Sequence, residues 1–453
     1  MNTNTFDKQY NFFCRNFLLP LSDTLTRQNV MKYYEFINRA QWWPRERLLK
    51  YQNERLIETV NIAYKETSFY RELFDSNGIS PDKIRTANDL QRIPIVTKDM
   101  LRKAYPLKCC RNTKYPWQEA FTSGSTGSPF VVRIDSYSMS IARALMLMRA
   151  NFSGWSIGDS MLQTGMTLNR GLIKKIKDYF LRVSYVSAFD LSDGTLDKYL
   201  EMMDLKKHKY IMGYASSLYC LSKRAEEVGF NYSLDGAVSW GDNLFDNYRN
   251  KIEKQFRTKV TDTYGCGEGI QVAAQCGQNN GEYHIFMPHV IVEFLENGIP
   301  VPENDFGEIV LTRLNPGAMP LIRYSIGDVG RGSDKEKCSC GRGLKMMSKI
   351  EGRSSDIILT PNGNKLIVHF FTGIFEYYSS IKYFQVYQDN INEIKIKIVP
   401  NLNFKEMDCI LIKKEINEKG DNDLKIDFEI VKEIPLEKSN KRRFVISKIE
   451  QSI

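Results

Sequence analysis

The chain has 453 residues, a length that suits two or three domains, and its hydrophobic fraction of 42% and charged fraction of 26% are those of an ordinary globular protein. Its net charge of +9, 63 basic against 54 acidic residues, favours anionic ligands and equally describes a slightly basic surface. No dense basic stripe with interleaved aromatics is present, which argues against a nucleic-acid partner, and no apolar run reaches the length of a membrane span.

In chain order, the N-terminal "NFFCRNFLLPL" is interrupted by Arg15 and lacks both a basic leader and a small-residue cleavage site, so it does not read as a signal peptide. Residues 28–110 read as helical, with Leu48, Leu49, Leu56, Val60 and Ile62 at roughly helical spacing. Thr97 caps a short helix in "PIVTKDMLRK". "VVRI" reads as a strand and "SMSIARALMLMRANF" as a helix apolar almost all round, hence buried. "KYIMGYA", "DGAVSW" and "TKVTDTYG" are apolar runs alternating with amphipathic segments, the rhythm of α/β layers with partly parallel sheets. From "HVIVEFLENGIPVPENDFGEIVLTRL" the pattern becomes strand, turn, strand. A boundary near "IEGRSSD" divides a large domain, 1–352, from a small α+β domain, 353–453, with strands in "KIKIVP" and "LKIDFEIV" and a helix near "VHFFTGIFEYYSS".

Five segments carry candidate chemistry. Thr122, Ser123, Gly124, Ser125, Thr126 and Gly127 gather hydroxyls and flexible backbone able to converge on phosphate oxygens, although Ser/Gly clusters are also common linkers. No Gly-Lys-Ser/Thr follows, so this is not a Walker loop. In "YGCGE", Tyr264 and Glu268 pair a stacking ring with a magnesium-binding acid, or form an ordinary surface turn. Asp328 in "IGDVG" suits ribose hydroxyls, or stabilises its own loop. Arg353 in "EGRSSD" reaches a ribose or phosphate, or belongs to a polar linker. Lys441, in the basic "KSNKRRF", stabilises a developing phosphate charge, or is one of a solvated run.

These five segments, in this order, with "WWPRERLLKYQ", "AYKETSFYRELF", "DLQRIPIVTKDMLR", "CSCGR" and "YFQVYQ", resemble the adenylate-forming enzymes, specifically the phenylacetate–coenzyme A ligase family and its branch in capsular polysaccharide biosynthesis. The resemblance covers nearly the whole chain. It implies that a carboxylate attacks the α-phosphate of ATP with magnesium present, and that coenzyme A then displaces AMP to give a thioester. By resemblance, residues 122–127 hold phosphates, Tyr264 and Gly265 border the adenine with Gly241, Asp242 and Asn243, and Glu268 binds magnesium. Asp328 and Arg353 hold the ribose, and Lys441 acts in adenylation on a C-terminal domain that rotates between steps. Tyr214, Ser216, Trp240 and Cys266 shape the pocket for an aryl or small carboxylate.

Three positions depart from the family pattern: Ser128 where a Lys is usual, Ser355 at the hinge, and Asn440 where Gly usually precedes the catalytic Lys, with Lys438 as the alternative lysine. The capsule-type likeness keeps a second acceptor open, a sugar or glycan precursor. It also keeps open a catalytically silent scaffold in a polysaccharide assembly complex.

Nine cysteines, an odd number scattered through the chain, suit reduced cytoplasmic thiols rather than a disulfide framework. Cys276 and His284 with the Cys338-x-Cys340 pair make a closed N/S donor set suited to structural zinc, which the family resemblance strengthens, with His289 as a spare ligand. His208 reads as a surface residue and His369 as core or cleft. A monomer or a homodimer, working in the cytoplasm, is expected.

Overall fold

The computed structural model describes residues 5–122, 130–165, 170–188, 190–278, 281–353, 358–366, 368–375, 377–378, 380–435 and 443–449. The chain falls into two compact units, one of residues 1–293, 310–326 and 332–348, the other of 294–309, 327–331 and 349–453.

The first unit opens on helices α1 (Thr5–Phe13), α2 (Leu19–Thr26), α3 (Val30–Ala40), α4 (Arg45–Glu66), α5 (Ser68–Ser76) and α6 (Lys98–Ala104). The helical reading of 28–110 is borne out, as is the cap: the Thr97 hydroxyl accepts from the Met100 amide at 3.3 Å. Strands β1 (Trp117–Thr122) and β2 (Phe130–Asp135) form an antiparallel hairpin in which Thr122 pairs with Phe130. Residues 123–129 therefore connect two paired strand ends. Helix α7 (Ser136–Asn151) follows, with its amide Ser138 N donating to the Asp135 carboxylate, and it buries residues along much of its circumference as its pattern predicts.

An α/β layer comes next: β3 (Met161–Gly165), α8 (Leu172–Phe180), β4 (Val183–Ser187), α9 (Asp193–Lys206), β5 (Tyr210–Tyr214), α10 (Ala215–Glu227), β6 (Gly236–Trp240), α11 (Asp246–Phe256) and β7 (Val260–Cys266). These strands pair in parallel in the order β4-β3-β5-β6-β7. The core beside them is built from Leu162, Ile211, Leu218, Leu221, Ile252 and Phe256, all nearly sealed from solvent. Near-continuous apolar runs in "YIMGY" and "GAVSW" are what a sheet covered on both faces requires. Beyond β7 the sheet turns antiparallel through β8 (Ile270–Gln275) and β9 (Tyr283–Ile285). Strands β10 (Val290–Glu296), β11 (Ile299–Pro300), β12 (Gly307–Arg313), β13 (Tyr324–Gly332) and β14 (Met346–Arg353) complete this part of the chain, with Met346 of β14 in register with His284 of β9.

In the second unit, β15 (Ile358–Leu359) and β16 (Lys365–Leu366) form a hairpin, followed by α12 (Val368–Phe375), β17 (Ile381–Asn390), β18 (Glu393–Pro400), α13 (Glu406–Lys419), β19 (Lys425–Ile430) and β20 (Val445–Ser447). Their sheet runs β19-β18-β17-β20, mixing parallel and antiparallel pairs. The β10–β11 turn belongs to this unit, and Asn297 and Gly298 both take left-handed φ of 52° and 79°, the geometry of an Asn-Gly hairpin turn.

One histidine departs from its sequence reading. His208 is buried, not exposed: its Nε2 lies 2.9 Å from the Ser184 hydroxyl at the foot of the parallel sheet. The flanking lysines of "KKHKY" made it look solvated, but Tyr210 already starts β5, so the chain turns inward there.

Candidate active site and metal centre

The C-terminal ends of adjacent parallel strands are where an open α/β sheet receives ligands. Here they carry Tyr214 on β5 and Trp240 on β6, directly in register, and the "TYGC" end of β7 beside them. After Trp240 the chain must pass the Tyr214 ring closely. Gly241 takes φ +83°, and a Cβ there would lie 2.5 Å from Tyr214 Cε1, so a glycine is needed at this step.

Asp242 then turns its carboxylate onto the start of α10. Its two oxygens accept from the Ala215 amide at 2.6 Å and the Ser216 amide at 3.1 Å. This caps the helix and places a negative charge at its positive end. The loop 241–243 is thereby tied to the helix that begins at the pocket residues. Burial, and then the Asp242 charge, push the Tyr214 phenol up to about 12, so it is a neutral group at neutral pH. Thr164 supports the same corner: its hydroxyl lies 2.7 Å from that of Ser217 and accepts from the Tyr214 amide at 3.3 Å.

Behind Trp240, Arg149 of α7 is buried with its guanidinium 4.8 Å from the indole centroid and donating to Gln271 Oε1 at 2.9 Å. Desolvation draws its pKa down to about 10, which leaves it a cation. Asp262, on β7, is also buried; it accepts from the Ser239 hydroxyl and, at 2.5 Å, from the Tyr283 phenol, and burial raises its pKa. Neither Arg149 nor Asp262 was singled out by motif.

Glu268 occupies the β7–β8 turn. A register shift between Tyr264 and Gly265 and the left-handed Gly269 (φ +78°) bend the chain so that this acid points inward. It is buried, the Tyr324 phenol donates to its Oε1 at 2.8 Å, and Lys98 Nζ stands 3.6 Å away. Lys98 also donates to the Ile326 carbonyl at 3.3 Å. Tyr324 stacks on Phe130 at 6.2 Å between centroids, and Phe130 is the residue on which the 123–129 connection ends. The structure thus brings together Tyr214, Trp240, Gly241, Asp242 and Ser216 around α10, and Glu268 with the anchor of the Ser/Gly segment. Asp328, on β13, and Arg353, at the end of β14, belong to the second unit. Ser123 to Gly127, Ser128, Ser355, Lys438, Asn440 and Lys441 lie outside the described residues, as do the side chains of Thr122, Arg353 and His369. Lys98 is the partner of Glu268 that sequence reading missed; its "VTKDM" segment registered only as a helix cap.

The four sulfur and nitrogen donors converge. Cys276 Sγ lies 3.7 Å from Cys338 Sγ and 3.3 Å from His284 Nε2, and Cys340 Sγ lies 3.5 Å from the same nitrogen. All four donor atoms fall within 4.8 Å of one another. Tetrahedral zinc with bonds of about 2.3 Å to sulfur and about 2.0 Å to nitrogen needs edges of roughly 3.5–3.8 Å. Burial draws the His284 imidazole down to about 4, so it is neutral and able to ligate. His289 is not part of the cluster. Just beyond this turn, Arg45 at the start of α4 donates to the carbonyls of Gly343 at 2.6 Å and Leu344 at 3.0 Å.

Comparison with known proteins fits this arrangement. Phenylacetate-coenzyme A ligase of Thermus thermophilus is 28% identical over 340 residues, covering 70% of this chain and 72% of its own length. The chain is similar in sequence to phenylacetate–coenzyme A ligases. Protein CapK of Staphylococcus aureus is 24% identical over 430 residues, 92% of the present chain and 93% of CapK. Residues 358–448 match the CapK C-terminal domain family. The fold is that of adenylate-forming coenzyme A ligases: a crystal structure of 2-hydroxyisobutyryl-CoA ligase in the postadenylation state, in complex with R3-HIB-AMP, superposes with a TM-score of 0.72 at 20% identity, covering 91% of this chain and 92% of that one.

Proposed function

We propose that the protein activates a carboxylic acid with ATP and transfers the acyl group to coenzyme A. The carboxylate oxygen attacks the α-phosphorus of ATP, pyrophosphate leaves, and an acyl-adenylate remains. The thiolate of coenzyme A then attacks the acyl carbon and AMP departs. The observation that carries this reading is the continuous packing from Phe130, at the end of the Ser/Gly connection, through Tyr324 to the buried Glu268. It supports one wall on which phosphate and a metal ion meet, next to the strand ends bearing Tyr214 and Trp240. The likeness to phenylacetate-coenzyme A ligases supports the acid and the thiol as partners.

In this reading Thr122 to Gly127 contact phosphate, Tyr264 and Gly265 border the adenine with 241–243, and Asp328 and Arg353 hold the ribose. Ser216 and Cys266 line the carboxylate pocket with Tyr214 and Trp240. Glu268 would hold Mg2+, which supplies charge neutralisation on the phosphates when bound. Lys441, on the small part 353–453, stabilises the charge that develops as the adenylate forms. The Cys276–His284–Cys338–Cys340 set would hold zinc as a structural ion, since all four positions are filled by protein and none is left for substrate. Reduced, zinc-bound cysteines would support a working place in the cytoplasm.

The CapK likeness, which extends through the C-terminal part, favours a second acceptor, a sugar or glycan precursor in capsular polysaccharide synthesis. ATP–pyrophosphate exchange across a panel of carboxylates, with and without coenzyme A, separates these readings. Exchange stimulated by an aryl or small acid, with AMP release dependent on coenzyme A, is expected. Exchange without thioester formation would move the acceptor to the glycan, and no exchange with any acid would leave a silent scaffold. Lys441→Ala should abolish exchange while Lys438→Ala preserves it.

A further inference from the structure

The exposed apolar side chains of the first unit concentrate on two neighbouring elements away from the strand ends. Along residues 5–26, helical throughout, Phe6, Phe13, Phe17, Leu21 and Leu25 are exposed at spacings of seven, four, four and four, so they share one face. Their rings form a stripe continued by Tyr10: centroid distances are 6.1 Å from Phe6 to Tyr10, 6.4 Å from Tyr10 to Phe13 and 5.9 Å from Phe13 to Phe17. Helix α8 lies alongside. The Tyr10 phenol donates to the Phe180 carbonyl at 2.6 Å, and Arg182, just past α8, donates to Asp7 at 2.8 Å. Neither α1 nor α8 has a fully buried residue, and α8 presents Leu172, Ile173, Ile176 and Tyr179, with Ile173 74% exposed. A stripe of this kind marks an interaction surface.

Charge selects the occupant. Lys174 and Lys175 are exposed on α8, between Ile173 and Ile176 in the chain. The acids of the two elements are engaged: Asp7 with Arg182 and Lys209, Asp178 with Arg170, and Asp23 as acceptor of the Met31 amide. A second copy paired by a two-fold axis would set this basic, apolar face against itself. An anionic leaflet complements the lysines and accepts aromatic and aliphatic side chains at headgroup depth. No helix among the described residues is long and apolar enough to cross a membrane.

We propose that α1, α2 and α8 form a peripheral docking surface for anionic lipid headgroups, the Phe6–Leu25 stripe lying in the interface and Lys174 and Lys175 facing the phosphates. The surface stands independently of the ligase reading. It is tested by floating the purified full chain with vesicles of phosphatidylcholine alone and of phosphatidylcholine mixed with phosphatidylglycerol, at low and physiological salt. Salt-sensitive binding confined to the phosphatidylglycerol vesicles is expected. Lys174→Glu with Lys175→Glu should weaken it about thirty-fold. Phe13→Ser with Phe17→Ser should weaken it by roughly tenfold, while Leu205→Ser, at an exposed leucine of α9 outside the patch, leaves it unchanged. Equal binding to both vesicles, or to neither, overturns the proposal. So does concentration-dependent dimerisation that the Phe13/Phe17 variant abolishes, which would assign the face to a second copy. Unchanged thermal melts confirm folding, and the lysine variant, altered only at exposed positions, keeps the test valid if the phenylalanine variant unfolds.

Discussion

Glu268 is restrained before any cation reaches it, with the Tyr324 hydroxyl at 2.8 Å and Lys98 Nζ at 3.6 Å from the same oxygen. A buried carboxylate that loses a donor suffers an unmet desolvation penalty. Tyr324→Phe should therefore lower stability by about 1–3 kcal/mol in urea denaturation. In exchange assays it should raise the Mg2+ concentration needed for half-maximal rate, whereas Glu268→Gln lowers the rate itself by roughly 10²–10³-fold. An unchanged Mg2+ requirement in Tyr324→Phe would make the tyrosine a packing residue only. The acid was within a recognisable motif, "YGCGE". Lys98 was not, because an ion pair formed across most of the unit leaves no local trace, whereas the Thr97 cap is written in adjacent residues.

The candidate metal donors join the end of β8 and strand β9 to the 338–340 turn. Cys276→Ser should reduce bound zinc, measured by elemental analysis, from about one ion per chain to a small fraction. The melting temperature should drop by about 2–4 °C for each kcal/mol lost. Retention of stoichiometric zinc would remove this cysteine from the ligand set. The cluster was legible from its soft sulfur and nitrogen donors taken together with the family resemblance, the C-x-C spacing alone being a modest sign. So were β5 and β6, since a strand buried on both faces is largely apolar at successive positions. The role of Asp242 was hidden. Its acceptor sites serve Ala215 and Ser216, far upstream, and only the parallel pairing of β5 with β6 brings them together. Helix α13 also escaped notice, although its buried Ile412 and Ile416, four apart, were the available sign.

At the scale of the molecule, buried histidines contribute to the response to acid. Desolvation draws His208 down to about 4 and His289 to about 3. In the unfolded chain both titrate near about 6.5. Between roughly pH 6.5 and 4 the unfolded state therefore binds more protons, so stability falls as pH falls through that window. The slope approaches about 1.4 kcal/mol per pH unit for each histidine. Denaturation midpoints measured from pH 7 to pH 4.5 should show this decline, and His208→Gln should make it shallower. An undiminished slope in the variant would place the proton uptake elsewhere.

The way the two compact units share the chain has a consequence for the order in which a ribosome delivers them. Residues 294–309 emerge early but belong with 349–453, while the stretches 310–326 and 332–348 return to the first unit. Neither unit is complete when its partner begins. The donors Cys338 and Cys340 arrive more than fifty residues after Cys276 and His284, so the cluster fastens the first unit only near the end of that unit's synthesis. Until then β8 and β9 hold only two of the four donors. A newborn chain is most vulnerable during this interval, when exposed strand edges invite misassembly.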